Sequence, residues 1–353
     1  MSKDRLLVLD SIRGVAAFFV ILFHYNLIVF SLTGHKLDYL RLGNTGVDLF
    51  FIISGFVIFK TLSAKATPLD FVVSRFSRLY PVYWVCVFLT ATGIFIYSHG
   101  TDPLLQPKVI LANLTMLQDI ILFPAVNNSL DLSYWTLYVE LWFYFFMFIL
   151  CLFKQLRNIE IIGALAMAAC LIFTLVGERI PFYKHILGGI PLISFCPLFF
   201  AGIIFYKIKY EGSTTYRHVL IGFCLLLAFY MHDMANKSKF FITFVEHMYI
   251  TIFYFTVFYL FIFNKLNFLD KKALVFLGTI SYSLYLIHQR LGSLIIQTLY
   301  SLNVPLVLCI AAAVVFSITT ASLLTFYVER PANRYLRDLY TQYKLNKKLV
   351  ADN

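Results

Sequence analysis

Charged residues are scarce in this sequence. Asp, Glu, Lys and Arg make up 13% of 353 residues, while hydrophobic residues account for 60% and aromatic residues for 18%. Soluble domains carry about a quarter charged residues, so this composition excludes a surface that faces water along most of the chain. The longest polar stretch is the C-terminal tail. We therefore expect one membrane-embedded domain at 1–340 and a cytoplasmic polar tail at 341–353.

Cysteines in metal-binding or disulfide patterns are also missing. The six cysteines all fall inside apolar segments, and none form close pairs with the spacing of metal ligands. Buried cysteine usually behaves as a small hydrophobic residue. The sequence therefore predicts neither a metal site nor a disulfide framework.

A small-residue cleavage site is lacking near the N-terminus too, so the first apolar run is interpreted as a retained span rather than a signal peptide.

The net charge of +11 does not indicate nucleic-acid binding. The Lys and Arg residues lie in loops between apolar runs, where such residues usually set membrane topology. Apolar runs of about 18 or more residues recur, and each can cross a bilayer core of about 30 Å as a helix. We predict an all-α integral membrane protein with ten spans. The predicted spans are 11–31, 44–62, 79–98, 134–153, 159–176, 186–206, 218–233, 246–263, 274–298 and 305–328.

The segment 109–123 is apolar but too short and too polar for a span, so we expect it to be re-entrant or interfacial. If this segment does not cross the membrane, the number of spans is even and both termini lie on one side of the membrane. The termini and loops of that side hold 21 Lys and Arg residues, against eight on the other side. The positive-inside rule then predicts that both termini are cytoplasmic.

Four ionisable residues inside predicted spans attract attention, because such residues usually mark a pathway or a reaction site. They are Arg13, His24, Glu140 and His288. Arg13 and His24 are 11 residues apart, which on a helix returns to within about 20° of the same face and separates them by about 16 Å along the axis. Glu140 lies about 9 Å below the outer end of its span, so His24 and Glu140 could share a depth.

These residues fit an acyl transfer. An imidazole can take a proton from an attacking hydroxyl near neutral pH, and a carboxylate can orient the imidazole. The sequence has no Gly-x-Ser-x-Gly motif, so the simplest scheme is direct attack on a thioester without a covalent acyl-enzyme. Each residue alone also fits a structural role, since an intramembrane histidine can be a packing element and Arg13 can snorkel to the interface.

A second basic group, Arg75 and Arg78, lies just before the third predicted span, at its cytoplasmic end. Arginine suits phosphate because its planar fork binds two oxygens at once. Ordinary positive-inside anchoring explains the same pattern. Both interpretations stay open at this point.

Six blocks, in order, resemble the acyltransferase-3 family of bacterial membrane O-acyltransferases that act on surface polysaccharides and Nod factors. The Arg, ten residues and His of that family are matched by Arg13 and His24. The blocks are LDSIRGVAAFFVILFHY at 9–25, GNTGVDLFFIISGF at 43–56, SRFSRLYPVYW at 74–84, YWTLYVELWFYFF at 134–146, LGTISYSLYLIHQ at 277–289 and FYVERPANR at 326–334.

The resemblance implies a multi-pass enzyme of the bacterial inner membrane that transfers an acyl group, most often acetyl, from cytoplasmic acyl-CoA to an exported or cell-envelope glycan. It implies His24, Arg13 and Glu140 as catalytic residues, and Arg75, Arg78 and Arg13 as ligands of the donor. Five further residues in the matched blocks would bind substrate or support the site, or else cap and pack helices. These are Asp48, Ser54, Tyr282, Tyr285 and His288.

The alternative from another class is a transporter or flippase of a lipid-linked sugar, which would also need intramembrane charge. Secondary transporters often contain inverted repeats and broken helices. No internal repeat is visible in this sequence. Binding of acyl-CoA would separate the two functions, because a flippase does not need a donor.

Overall fold

The computed structural model describes residues 6–35, 37–64, 67–122, 129–232 and 241–351. Regular structure in these ranges is helical throughout, as predicted. The α-helices are α1 (Leu7–Thr33), α2 (Gly46–Ser63), α3 (Pro68–Ser98), α4 (Pro107–Asn113), α5 (Gln118–Ile121), α6 (Trp135–Leu152), α7 (Ile159–Val176), α8 (Tyr183–Gly189), α9 (Leu192–Glu211), α10 (Thr215–His232), α11 (Phe244–Ile262), α12 (Lys272–Ser301), α13 (Leu306–Leu324) and α14 (Arg330–Ala351).

Nine of the ten predicted spans each coincide with one long helix, although residue 233 lies outside the described ranges. The span predicted at 186–206 begins in the short helix α8 and continues through α9. Eight helical stretches are long and apolar enough to cross a membrane. They contain α1, α2, α3, α6, α7, α9, α11 and α13. The apolar part of α10 is slightly shorter, and the 30 residues of α12 include several polar ones. The protein is therefore an all-α membrane protein.

The segment expected at 109–123 forms no spanning helix over its described residues. It contains α4 and α5, which have seven and four residues. Tyr83, Trp84 and Tyr80 of α3 donate hydrogen bonds of 2.5, 2.9 and 3.1 Å to the carbonyls of residues 113, 114 and 115. Backbone groups without helical partners are costly in an apolar environment. Side chains of α3 thus donate hydrogen bonds to the backbone carbonyls of the irregular turn between α4 and α5.

The chain divides into two compact units. The first unit comprises residues up to 64 together with 135–279, and the second comprises 65–134 together with residues from 280 onward. The first unit therefore holds α1, α2 and α6 to α11, and the second holds α3 to α5, α13 and α14. Helix α12 contributes its first turns to the first unit and the rest to the second.

In the first unit, α2 and α9 approach each other through two glycines. A methyl group added to Gly55 would lie 2.0 Å from the carbonyl oxygen of Phe199, and one added to Gly202 would lie 2.1 Å from that of Ile52. Small residues allow such close backbone approach between membrane helices. Beside this crossing, the ring of Phe199 stacks on those of Phe51 and Phe143, with centroids 4.8 and 4.3 Å apart.

In the second unit, α3 begins with a capping box between Thr67 and Asp70. Helix α13 continues through a π-helical turn, Thr325–Glu329, into α14, which packs along the first half of α3. Lys344 donates to Asp70 at 2.8 Å, and Ser77 donates to Asn333 at 3.2 Å. The polar stretch from 341 onward thus continues a helix, within the described residues.

The close crossing of α2 and α9 predicts that Gly202→Ala destabilises the protein. The added methyl group would overlap the carbonyl of Ile52, so the two helices must separate, at a cost of about 1–3 kcal/mol. The measurement is the thermal unfolding midpoint of the purified protein in detergent. Gly222→Ala on α10 is the matched control, because nothing lies within 4 Å of its added methyl group. Equal midpoints for the two variants would contradict the close crossing.

Candidate active site

Helix α1 carries the predicted pair Arg13 and His24. The guanidinium of Arg13 donates to the carboxylate of Asp10 at 3.0 Å and to the carbonyl of Gly278 at 2.8 Å. Gly278 has no side chain, and a methyl group added there would lie 1.8 Å from the carbonyl oxygen of Asp10. The first turns of α12 can therefore lie directly against α1. This approach fixes the guanidinium of Arg13 at the start of α12.

The imidazole of His24 bonds to its own helix. Its Nδ1 lies 3.0 Å from the carbonyl oxygen of Val20. A carbonyl oxygen can only accept, so Nδ1 carries a proton, and the lone pair of the neutral ring is then on Nε2. The ring also packs edge-on against Phe23, with centroids 5.0 Å apart. The contact with Val20 therefore assigns the basic position of the ring to Nε2.

The carboxylate of Glu140 is held by two hydroxyl groups. Ser54 of α2 donates to Oε1 at 2.6 Å, and Tyr144, one turn further along α6, donates to the same oxygen at 2.5 Å. The helices α2 and α6 therefore place a Ser, a Glu and a Tyr in one hydrogen-bonded group. Such bonds help a carboxylate to stay in an apolar environment.

The structure does not bring Glu140 and His24 together. Gly43 lies against Phe19 and Phe23, while Gly46 lies against Ala16 and Val20, so α1 and the chain entering α2 run antiparallel. From the level of Gly46 and Val20, His24 lies about 6 Å in one direction and Ser54 about 12 Å in the other. Glu140, bonded to Ser54, is therefore about 18 Å from His24 along the helix axes. The expectation of a shared depth was wrong.

Asp48 meets a histidine that the sequence reasoning missed. The Nε2 of His247, on α11, lies 3.5 Å from the carboxylate of Asp48 and 3.3 Å from the hydroxyl of Thr251. His247 and Asp48 are only 5% and 7% exposed. His247 falls inside the predicted span 246–263, so the rule that selected His24 would also have selected it. Asp48 and His247 thus form a carboxylate–imidazole pair in the first unit.

Arg75 and Arg78 belong to the second unit, on the first half of α3. The guanidinium of Arg75 donates to the hydroxyl of Ser74 at 3.0 Å and lies 6.0 Å from the centroid of the Phe71 ring. Both arginines are partly exposed. They lie three residues apart on one helix, so their guanidinium groups can meet a common ligand.

Tyr282, Tyr285 and His288 of α12 bond to backbone carbonyls of the second unit. The hydroxyl of Tyr282 donates to Leu79 at 3.2 Å, and that of Tyr285 donates to Ser133 at 3.1 Å. The Nδ1 of His288 lies 2.8 Å from the carbonyl of Tyr285, and this ring is fully buried. These contacts support helix packing, one of the two roles considered for the three residues.

A buried acid in the second unit, Asp131, was also missed. Its carboxylate accepts from the backbone N–H and hydroxyl of Ser133, at 2.8 and 2.6 Å, and from the backbone N–H of Arg290 at 2.8 Å. The second of its oxygens thus accepts from a backbone N–H in the middle of α12. Asp131 lies outside the regular helices, where a search limited to spans could not find it.

Curated relatives share similarity with this chain. One is the exopolysaccharide production protein ExoZ of Rhizobium meliloti, 33% identical over 32% of this chain and 34% of ExoZ. Another is ORF330 of Acidianus two-tailed virus, which is named as an acetyltransferase and is 25% identical over 80% of this chain and 82% of ORF330. The third is protein 2 in the picA locus of Rhizobium radiobacter, 39% identical over 25% of this chain and 45% of that protein.

The matches thus span about a third of ExoZ and under half of the picA-locus protein, but most of ORF330. No solved structure matches the chain. The family comparison covers much more, since residues 6–326 match the acyltransferase domain that defines the acyltransferase-3 family. With this match over nearly the whole chain, and with the helices and polar residues described above, the protein belongs to the acyltransferase-3 family.

Proposed function

We propose that this protein is an O-acyltransferase that moves an acyl group, acetyl in the simplest case, from cytoplasmic acyl-CoA to a sugar hydroxyl of a cell-envelope or exported glycan. The observation that supports the proposal most directly is the hydrogen bond from Nδ1 of His24 to the carbonyl of Val20, which leaves Nε2 as the basic nitrogen. His24 lies on a membrane helix within the part of the chain that matches the family. The names of ExoZ and ORF330 agree with a glycan acceptor and an acetyl donor.

In the proposed reaction, Nε2 of His24 takes the proton of the acceptor hydroxyl. The hydroxyl oxygen attacks the carbonyl carbon of the thioester, and the tetrahedral intermediate collapses with release of the CoA thiolate. General-base catalysis of this kind contributes about 10²–10⁴-fold. No residue carries the acyl group in this scheme.

Glu140 and Arg13 lie at a different depth along the helix axes of the first unit from His24. Ser54 and Glu140 lie about 18 Å from His24 along the helix axes, so Glu140 does not orient the imidazole. We assign Arg13, Ser54 and Glu140 to the passage of the extended donor, where the carboxylate can accept from the amide N–H groups of its pantetheine arm. Their catalytic contribution is then the position of the thioester.

The donor requires a cytoplasmic entrance and an anion site. The excess of Lys and Arg on one side supports an inner-membrane protein with both termini in the cytoplasm. Arg75 and Arg78 are the proposed ligands of the CoA phosphates, because their planar forks suit phosphate oxygens. Asp48 is assigned to the acceptor, and Tyr282, Tyr285 and His288 to support of the second unit.

The base assignment predicts that His24→Gln abolishes most transfer. Loss of the general base should lower kcat by about 10²–10⁴-fold, while the protein still folds. The measurement is transfer of radiolabel from acetyl-CoA to envelope glycan from which esters were removed by mild alkali. His218→Gln is the matched control, since the His218 imidazole is partly buried and bonds to the Tyr259 hydroxyl at 2.9 Å. A folded His24→Gln protein with unchanged kcat would remove His24 from the mechanism.

The phosphate site predicts that Arg75→Ala with Arg78→Ala raises the KM for acetyl-CoA by about tenfold or more. The kcat at saturating donor should stay within about threefold, because the bonds to phosphate form equally in the ground and transition states. The measurement is a series of initial rates against acetyl-CoA concentration. Arg157→Ala, an exposed arginine in the turn Gln155–Asn158, is the control. An unchanged donor KM in the double variant would assign the pair to membrane anchoring.

A further inference from the structure

His247 has no role in the reaction as described so far, and its partner Asp48 has been assigned to the acceptor without a contact that it would make. The two side chains come from α2 and α11 of the first unit, and both are buried. Thr251, one turn further along α11, brings a hydroxyl to the same imidazole nitrogen. A carboxylate, an imidazole and a hydroxyl thus meet between two membrane helices. Ionisable groups at such a position are expensive and usually serve a function.

A purely structural role is already filled by neighbouring contacts between the same segments. Arg41, which precedes α2, forms an ion pair with Glu246 at the start of α11. The hydroxyls of Thr45 and Tyr254 lie 2.7 Å apart and form a hydrogen bond. These contacts join the beginning of α2 to α11 without Asp48 and His247. Apolar side chains at those two positions would hold the helices at a lower desolvation cost.

Along the helix axes, the pair lies midway between His24 and Glu140. Val20 accepts the bond from the His24 ring, and the side chain of Val20 packs against Gly46. Asp48 follows Gly46 by two residues, so it lies about 9 Å from His24 along the helix axes, half the distance from His24 to Glu140. An acceptor with several hydroxyls extends far enough to contact both levels.

We propose that Asp48 and His247 bind a sugar hydroxyl of the acceptor other than the hydroxyl that is acylated. This inference rests on the proposed function and names two residues of its acceptor site. A sugar hydroxyl both donates and accepts, so it can donate to the carboxylate of Asp48 and accept from the imidazole of His247. The pair contributes binding and orientation, while His24 remains the base. The acceptor class is therefore a polyhydroxylated sugar rather than an isolated alcohol.

The test separates acceptor binding from catalysis and folding. His247→Gln and Asp48→Asn are assayed with acetyl-CoA and the alkali-treated envelope glycan. We expect the acceptor KM to rise about tenfold or more, the effect of losing a hydrogen bond to a charged group. The kcat at saturating acceptor should stay within about threefold and the donor KM should not change. His218→Gln is the matched control for a histidine substitution in the first unit.

Thr251→Val provides a second variant that keeps the side-chain volume, and it should raise the acceptor KM by a smaller factor. An unchanged acceptor KM in variants that fold would overturn the proposal. A lower thermal midpoint with a lower kcat and an unchanged acceptor KM would assign the pair to helix packing and would also overturn it. If the wild-type protein transfers no label, the proposed function itself fails. If the wild type is active and only the expected KM shifts are absent, the acceptor site alone fails.

Discussion

The cost of an unsatisfied polar group in a bilayer is the constraint on which this structure depends. With no water in the hydrocarbon core, each buried donor or acceptor needs a partner within the protein. Hydroxyls of Ser54 and Tyr144 surround the carboxylate of Glu140, and α3 side chains satisfy the carbonyls between α4 and α5. Because an unpartnered polar group is costly there, a polar residue in a span indicates a specific role. A group that remains despite its desolvation cost is either well bonded for packing or ready for a substrate.

Close backbone packing is the second consequence of this environment. Hydrophobic burial does not drive membrane helices together, so their contacts depend on shape and on small residues. Gly55 and Gly202 join α2 to α9, while Gly14 and Gly278 join α1 to α12. Gly43 and Gly46, which lie against α1, set the register of α1 against the start of α2. The site geometry therefore depends on glycines that carry no chemistry, since they fix the levels of His24, Asp48 and Ser54.

The sequence predicted most of the fold, because apolar runs of span length and charge-rich loops are properties of the chain itself. Ten of the eleven helices of 18 or more residues in the described part of the chain were found this way, together with the short segment that does not span. The eleventh, α14, is too polar to appear as an apolar run. The levels of the polar residues could not be found, since they depend on how helices pack and not on how far a residue lies from its helix end. Glu140 was expected beside His24 for that reason. His247 lies in a predicted span but outside the six blocks that resemble the family, so the resemblance did not indicate it.

The different levels of the polar residues in the first unit suggest how one membrane domain can serve two substrates. Arg13, Ser54 and Glu140 belong to one level, while His24, Asp48 and His247 belong to levels nearer the outer end of α1 in the proposed topology. A donor that enters from the cytoplasm is a long chain with its reactive thioester at the far end. The protein groups that bind this chain must therefore lie nearer the cytoplasm than the base that acts at the thioester. An acceptor that enters from the other side is short and needs its binding groups beside the base. The separation of Glu140 from His24 argues against a simple catalytic dyad and fits the two substrates of the proposed function.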